Sequence, residues 1–380
     1  MNEIFVKGNA STSDISYFEG EADLIDEFIQ KHDQFSMLQS ILGCIYGQAL
    51  GDAYGLATEF ETRCSIDKLY PDGREIPFPN FITTHHSRRW MKGDWTDDTD
   101  QWILIMETII EQEGVVDVKV FAKKLLHWIH HGFPQLKDFG GLGLGQNVSM
   151  VCSHRDFLED PHKASKDIWE RNNRNIAPNG AIMRCSILGL YQYEQINQVI
   201  ANTVNIAKVT HFDPRCQASC LVVNLCIAYL LQNPKGDIED IVRKAEHETI
   251  NCLGDSLSKE QKTEFLWYTN IDRTLDDLKL DESSSIGYTY KCMASGFHGL
   301  RSEESFEQTL HKLIREGGDA DTNGAVCGSL YGTKHGYKAL PKPWLQALPY
   351  KKWLDQKVMQ FLPLINLQPS SSSEMITEKL

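Results

Sequence analysis

Two short stretches, Trp95-Thr96-Asp97-Asp98-Thr99-Asp100-Gln101 and Gly317-Gly318-Asp319-Ala320-Asp321-Thr322-Asn323-Gly324, crowd aspartates and threonine hydroxyls into a few positions. Each runs into apolar residues, Ile103-Leu104-Ile105 in the first case and Ala325-Val326 in the second, so folding draws the carboxylates towards a core. A buried charge left alone costs on the order of several kcal/mol. Neither stretch carries a lysine or arginine to offset it. Carboxylate and hydroxyl oxygens suit a hard divalent cation, and the two stretches together offer about six donors, enough for one or two Mg²⁺ ions completed by water. The second stretch follows a calcium loop for three positions but then lacks its closing glutamate. A third acidic element, Gly51-Asp52-Ala53 with Glu59, lies beside glycines recurring at 43, 47, 51 and 55. The competing reading, helix caps and solvated surface acids, weakens with each element added.

These residues need a scaffold. Met37 to Ala57 repeats apolar and small residues near the helical period, and the four glycines on one stripe imply close helix–helix contact or passage beneath a ligand. Residues 62–92 read as a long loop holding the basic cluster His85, His86, Arg88 and Arg89. Thr96 is a suitable N-cap for a helix running to about Glu113, with acids favoured in its first turn. Helical patterns also cover 117–131, 145–155, 162–170, 181–191, 196–209, 215–231, 237–252, 258–269, 284–298, 305–316 and 322–334. Period-two alternation is scarce. The expectation is an all-α protein of eight to twelve helices: a polar extension over residues 1–36, one helical domain over 37–365 and a low-complexity tail over 366–380.

The composition narrows the functional classes. Among 380 residues there are 52 acidic against 38 basic side chains, a net charge of −14, which argues against non-specific nucleic-acid binding. Ten cysteines are scattered without a CxxC pair, so reduced core thiols are expected rather than zinc ligands or disulfides. The apolar runs fall short of the roughly 18 residues of a membrane span. The start, Met1-Asn2-Glu3-Ile4, lacks signal-peptide order, so a cytoplasmic monomer is expected.

In order along the chain come Gly47-Gln48-Ala49-Leu50-Gly51-Asp52-Ala53 with Glu59, the Trp95–Asp100 stretch, Asn179-Gly180-Ala181-Ile182-Met183-Arg184, Thr210-His211, Ser285-Ile286-Gly287-Tyr288 and the Gly317–Ala325 stretch. From about Leu38 to Tyr331 the sequence thereby resembles the ADP-ribosylglycohydrolases, which include dinitrogenase-reductase-activating glycohydrolase and the ADP-ribosyl-arginine and ADP-ribosyl-serine hydrolases. The resemblance implies a compact orthogonal multi-helix bundle with a metal cleft between helices. It implies two Mg²⁺ ions (Mn²⁺ as a substitute) on Thr96, Asp97, Asp98, Asp319, Asp321 and Thr322. Proton transfer then falls to Asp98 or Asp321, with Glu59 a rival. Gly143, Gly145, Gln146, Asn179, Gly180 and His211 would face the rest of ADP-ribose. The implied reaction is hydrolysis of the bond between ADP-ribose and an acceptor on a protein or small molecule, protein arginine first. Serine-linked ADP-ribose and O-acetyl-ADP-ribose are the alternatives, and a silent ADP-ribose-binding relative is the rival class.

Overall fold

The computed structural model describes residues 24–32 and 36–365; the sequence readings of the first 23 residues and of the 366–380 tail lie outside them. Among the described residues the protein is all helix, with no sheet and one isolated bridge between Pro178 and Tyr288. In chain order the helices are α1 (Leu24–His32), α2 (Ser36–Gly55), α3 (Arg63–Leu69), α4 (Asp97–Glu111), α5 (Val118–His131), α6 (Gln146–Cys152) and α7 (Pro161–Arg171). There follow α8 (Ile187–Leu190), α9 (Ile196–Ala207), α10 (Pro214–Gln232), α11 (Ile238–Leu253), α12 (Lys259–Thr269) and α13 (Leu275–Leu278). The last are α14 (Thr289–Arg301), α15 (Phe306–Ile314), α16 (Ala320–His335), α17 (Lys342–Ala347) and α18 (Lys351–Phe361).

The central pair is α2 against α16. Neither has a distinct polar face, and both are buried nearly throughout, polar side chains such as Gln48, Asp52, Asp321 and Asn323 included. Glycines at 43, 47 and 51 meet Gly332, Gly328 and Gly324, so that the two backbones touch. A Cβ on Gly51 would stand 1.9 Å from the Gly324 carbonyl oxygen, and one on Gly324 would stand 2.3 Å from that of Gly51. No other residue permits this approach. The stripe expected from α2 is thus a helix–helix seam, with a matching four-residue repeat on α16. Its function is positional: it brings Asp52 on α2 to the start of α16.

Several expectations differ in detail. The span 181–191 is a 3-10 turn (Ile182–Arg184) followed by the short α8, because the Met183 carbonyl accepts from the Gln48 side chain instead of a helical N–H. Residues 62–92 contain α3 and two 3-10 turns. The helix expected from 284 begins at Thr289, since Ser285–Tyr288 forms a turn. Beyond residue 335, α17 and α18 were not anticipated. Helix α18 buries Trp353, Leu354, Val358 and Phe361, while its Lys351 and Asp355 pair beneath Tyr46 of α2. Helix α10 is long and apolar enough to cross a membrane by length and composition, yet 94% of that apolar window is buried inside the bundle. In α1, Ile25 and Ile29 pack into the core, so part of the polar extension joins the folded body.

Candidate metal centre

The first acidic stretch is fixed by its flanks. Thr96 is the N-cap of α4, and the two oxygens of Asp100 accept indole N–H bonds from Trp95 (2.8 Å) and Trp128 (3.2 Å). Asp52 reaches in from α2: its Oδ1 accepts from the Thr96 N–H and hydroxyl (3.0 and 2.9 Å), its Oδ2 from those of Thr99 (3.0 and 2.6 Å). A carboxylate so occupied has little left for a cation. Asp52 therefore orients the stretch, although its oxygen lies close enough to Asp98 and Asp321 to be grouped with them.

The second stretch turns on Gly317 and Gly318, both in the left-handed region at φ 69° and 75°. A Cβ on Gly318 would come within 2.1 Å of the Leu280 carbonyl oxygen, so side chains are excluded there. Two backbone bonds, Phe60 N–H to Gly318 O (2.7 Å) and Gly318 N–H to Glu61 O (2.9 Å), tie this turn to the segment carrying Glu59. Asp319 begins α16 without capping it; its Oδ2 accepts from the Asn179 side chain at 2.8 Å.

Oxygens of Asp52, Asp98 and Asp321 lie within 4.8 Å of one another, as do oxygens of Glu59, Asp319 and Asp321. Asp321 belongs to both groups. The chain thus brings together two acidic clusters capable of coordinating a divalent metal ion. Thr96 Oγ1 stands 2.9, 3.1 and 3.2 Å from oxygens of Asp52, Asp98 and Asp321, and its single proton serves only one of them. Asp98 Oδ1 is buried without any partner. Burial, reinforced by the neighbouring carboxylates, pushes Asp97, Asp98 and Asp321 well above the usual carboxylate range. Asp52 is pushed up to about 6 by burial, which outweighs its four hydrogen bonds. The remaining oxygens need protons or a cation, and a donor set of carboxylates and hydroxyls fits a hard divalent ion.

Asp97 is steadied from behind. Gln101 Nε2 donates to its Oδ2 (2.7 Å), and Arg184 Nη1 donates to Gln101 Oε1 (2.6 Å). Arg184 is fully buried, and burial lowers its pKa to about 10. The lysine or arginine missing from the acidic stretches is therefore supplied from a distant segment through an amide, rather than by a helix-surface ion pair. The same guanidinium donates to Thr210 Oγ1 (2.6 Å), which is hydrogen-bonded in turn to His211 Nδ1 (2.7 Å). Burial, with the nearby guanidinium, lowers the His211 pKa well below its usual value and keeps the ring neutral. Nε2 has no partner and lies beside Gly180, where a Cβ would come within 3.2 Å of it.

The other sequence candidates fall around the same cleft. Gly143, at φ 103°, lets Asp97 approach: a Cβ there would stand 2.3 Å from Asp97 Oδ1. Gly145 and Gln146 are exposed beside it at the start of α6. Asn179 is held by its N–H to the Gly287 carbonyl (2.9 Å), which unites two separate motifs. Thr322 lies next to Asp98, its hydroxyl acting against the upward shift of that carboxyl. Sequence reasoning missed the orienting roles of Gln101 and Arg184. It also missed His86, whose Nε2 lies 2.8 Å from Glu59 Oε2. The four-residue glycine repeat after Asp321 was the one available signal for the α16 side of the seam.

A family model described as ADP-ribosylglycohydrolase matches residues 34–371. The ADP-ribosylarginine hydrolase Tri1 of Serratia proteamaculans is 25% identical over 311 residues, 82% of this chain and 75% of that protein. The ADP-ribosyl-[dinitrogen reductase] glycohydrolase of Rhodospirillum rubrum is 23% identical, covering 82% of this chain and 90% of its own length. A solved structure of an ADP-ribosylglycohydrolase-related protein complex superposes with a TM-score of 0.63 at 22% identity, over 86% of this chain and 98% of that one. The last shows a shared fold.

Proposed function

The chain belongs to the ADP-ribosylglycohydrolase family, and from that premise we propose that it is a Mg²⁺-dependent hydrolase releasing ADP-ribose from a modified acceptor, protein arginine first. The observation carrying this reading is the meeting of Asp98, Asp319, Asp321 and Glu59 in two clusters joined through Asp321. Arginine is preferred over serine because relatives named for that linkage match across most of the chain.

Thr96, Asp97, Asp98, Asp319, Asp321 and Thr322 would hold the cation. When bound, Mg²⁺ aligns ribose hydroxyls and makes a neighbouring water more acidic. The protein's own residues do the rest. Asp52 and the Trp95–Asp100–Trp128 anchor hold the α4 start in register, while Gln101 and Arg184 orient Asp97 and Asn179 orients Asp319. Cleavage builds positive character at the anomeric carbon, which the surrounding carboxylates stabilise. A carboxylate must accept a proton from the attacking water and return one to the departing side chain. Asp98 offers a buried, unpartnered oxygen for the first task. Asp321 joins the two clusters, and Glu59 sits against His86. The unpartnered Nε2 of His211 and the open Gly143–Gln146 turn offer polar contacts for the rest of the substrate, with backbone N–H groups of the turn suited to its phosphates.

The test presents arginine-, serine- and phosphate-linked ADP-ribose with Mg²⁺ and measures free ADP-ribose by chromatography. Release fastest from arginine is expected. No release from any of them sinks the proposal.

A further inference from the structure

Residues 76–93 contain no aspartate or glutamate, yet His85, His86, Arg88, Arg89 and Lys92 lie among them, in a chain of net charge −14. The segment is built, not loose. Thr84 and Ser87 exchange hydrogen bonds, with Thr84 N–H to Ser87 Oγ at 2.9 Å and Ser87 N–H to Thr84 Oγ1 at 3.0 Å, and Ser87 and Trp90 are buried beneath the turn. His86 points inward to Glu59, and its ring meets Phe60 edge-on at 4.7 Å. This places the segment at the rim of the acidic clusters.

The cations here are held by imidazole, indole and backbone carbonyl groups. Arg88 Nη2 donates to His85 Nε2 (2.8 Å), Arg89 donates to His86 and lies 4.6 Å over Trp90, and Lys92 Nζ donates to the Phe81 carbonyl (3.1 Å). None of the three meets a carboxylate among the described residues. Elsewhere in the same molecule Arg215, Arg301, Arg315 and Lys351 each pair with an acid. His85, Arg88 and Lys92 are exposed. A positive lip thus borders the cleft of an otherwise acidic protein, and its field is local rather than spread along a track.

We propose that this lip docks an acidic polypeptide segment flanking the ADP-ribosylated residue, so that the enzyme prefers proteins modified within acidic surroundings. This rests on the hydrolase reading above. An acidic peptide fits better than nucleic acid, because the patch is one short turn and the rest of the protein repels a long polyanion. Exposed charge pairs are individually weak, but several acting together through a preorganised turn are worth about a tenfold preference.

The first arm of the test needs no turnover. Fluorescence anisotropy follows a labelled, unmodified Asp/Glu-rich peptide, its Lys-rich counterpart and a single-stranded oligonucleotide binding to the full chain at low salt. The acidic peptide is expected to bind, to weaken about tenfold in Arg88→Glu and further in Arg88→Glu/Lys92→Glu, to recover in Arg88→Lys, and to weaken with salt. The second arm compares kcat/KM for arginine-ADP-ribosylated peptides with acidic or basic flanks, alongside inhibition by free ADP-ribose. Acidic flanks should be preferred by wild type, the preference should vanish in Arg88→Glu, and ADP-ribose inhibition should be unchanged. Equal peptide binding in wild type and Arg88→Glu overturns the proposal. So does tighter binding of the oligonucleotide, or a parallel loss of ADP-ribose inhibition, which would assign the lip to the pyrophosphate. If no peptide releases ADP-ribose, the hydrolase reading fails while the binding arm still judges the lip.

Discussion

Replacing Gly51 by alanine tests whether the α2–α16 seam sets the geometry of the centre. The added Cβ would stand 1.9 Å from the Gly324 carbonyl oxygen and 2.5 Å from its carbon, both backbone atoms that cannot swing aside. Restoring ordinary contact requires the helices to part by about 1.5 Å, against neighbouring rows already at their limit (Gly47 to the Gly328 oxygen, 2.2 Å). Overpacking of this kind costs about 1–3 kcal/mol and occasionally more. Alanine recovers about 1 kcal/mol of helix propensity. A net loss of up to about 2 kcal/mol is expected, read as a lower urea midpoint. Asp52 follows Gly51 directly, and Asp321 lies one turn before Gly324, so the same displacement separates the two acidic elements. Geometric errors near 1 Å at a catalytic site cost about a hundredfold in rate, and Mn²⁺ affinity, read by electron paramagnetic resonance, should fall at least tenfold. Gly43→Ala is the control: its Cβ clashes as badly, at 2.0 Å from the Gly332 oxygen, but two turns further from Asp52. It should lose similar stability and keep far more metal affinity. An unchanged urea midpoint and unchanged Mn²⁺ affinity in Gly51→Ala would refute the reasoning.

Other consequences follow from the same contacts. Asp52→Asn places an amide donor against the N–H and hydroxyl groups of Thr96 and Thr99; a stability loss of about 2–3 kcal/mol and weaker Mn²⁺ binding are expected in urea and resonance titrations. Arg184→Met leaves Gln101 and Thr210 without their donor and should loosen Asp97 and lower Mn²⁺ affinity, while disturbing the Thr210–His211 hydrogen bond, visible in the imidazole nitrogen shifts. Glu59→Gln should lower kcat far more than ADP-ribose affinity; equal activity would remove Glu59 from the mechanism. For pH the sign is set by raised carboxyl values. Asp52 moves up to about 6, so the stability it lends is complete below about pH 4 and is lost as pH rises through 6, with Asp97, Asp98 and Asp321 extending the loss upward. Metal-free protein should therefore melt lower at pH 8 than at pH 6, and the gain in Tm from Mg²⁺ should be larger at pH 8; a larger gain at pH 6 would contradict this.

Much of the centre was legible because its chemistry is local in sequence. Thr-Asp-Asp before an apolar helical pattern announces both a cap and a crowd of buried carboxylates, and the glycines of α2 announce a seam because glycine is otherwise costly in a helix. What was illegible depends on contacts between distant segments. Nothing near Asp52 says that Thr96 and Thr99 will occupy its oxygens. Nothing near Arg184 says that it will be buried and pass its hydrogen bonds through Gln101 and Thr210. The break at 182–184 follows from Gln48 capturing a carbonyl, which no periodicity records. Helix α18 hid behind Lys351, Lys352 and Lys357, since its apolar face only makes sense against α4 and α1.

On the proposed reading the two acidic stretches together hold divalent cations. Crystals grown with Mn²⁺ test it through the anomalous difference map. Density is expected among Asp98, Asp319 and Asp321, within reach of Thr96 and Thr322, and absent from crystals of Asp321→Asn grown in the same way. Peaks elsewhere on the protein, or undiminished density in Asp321→Asn, would contradict the account.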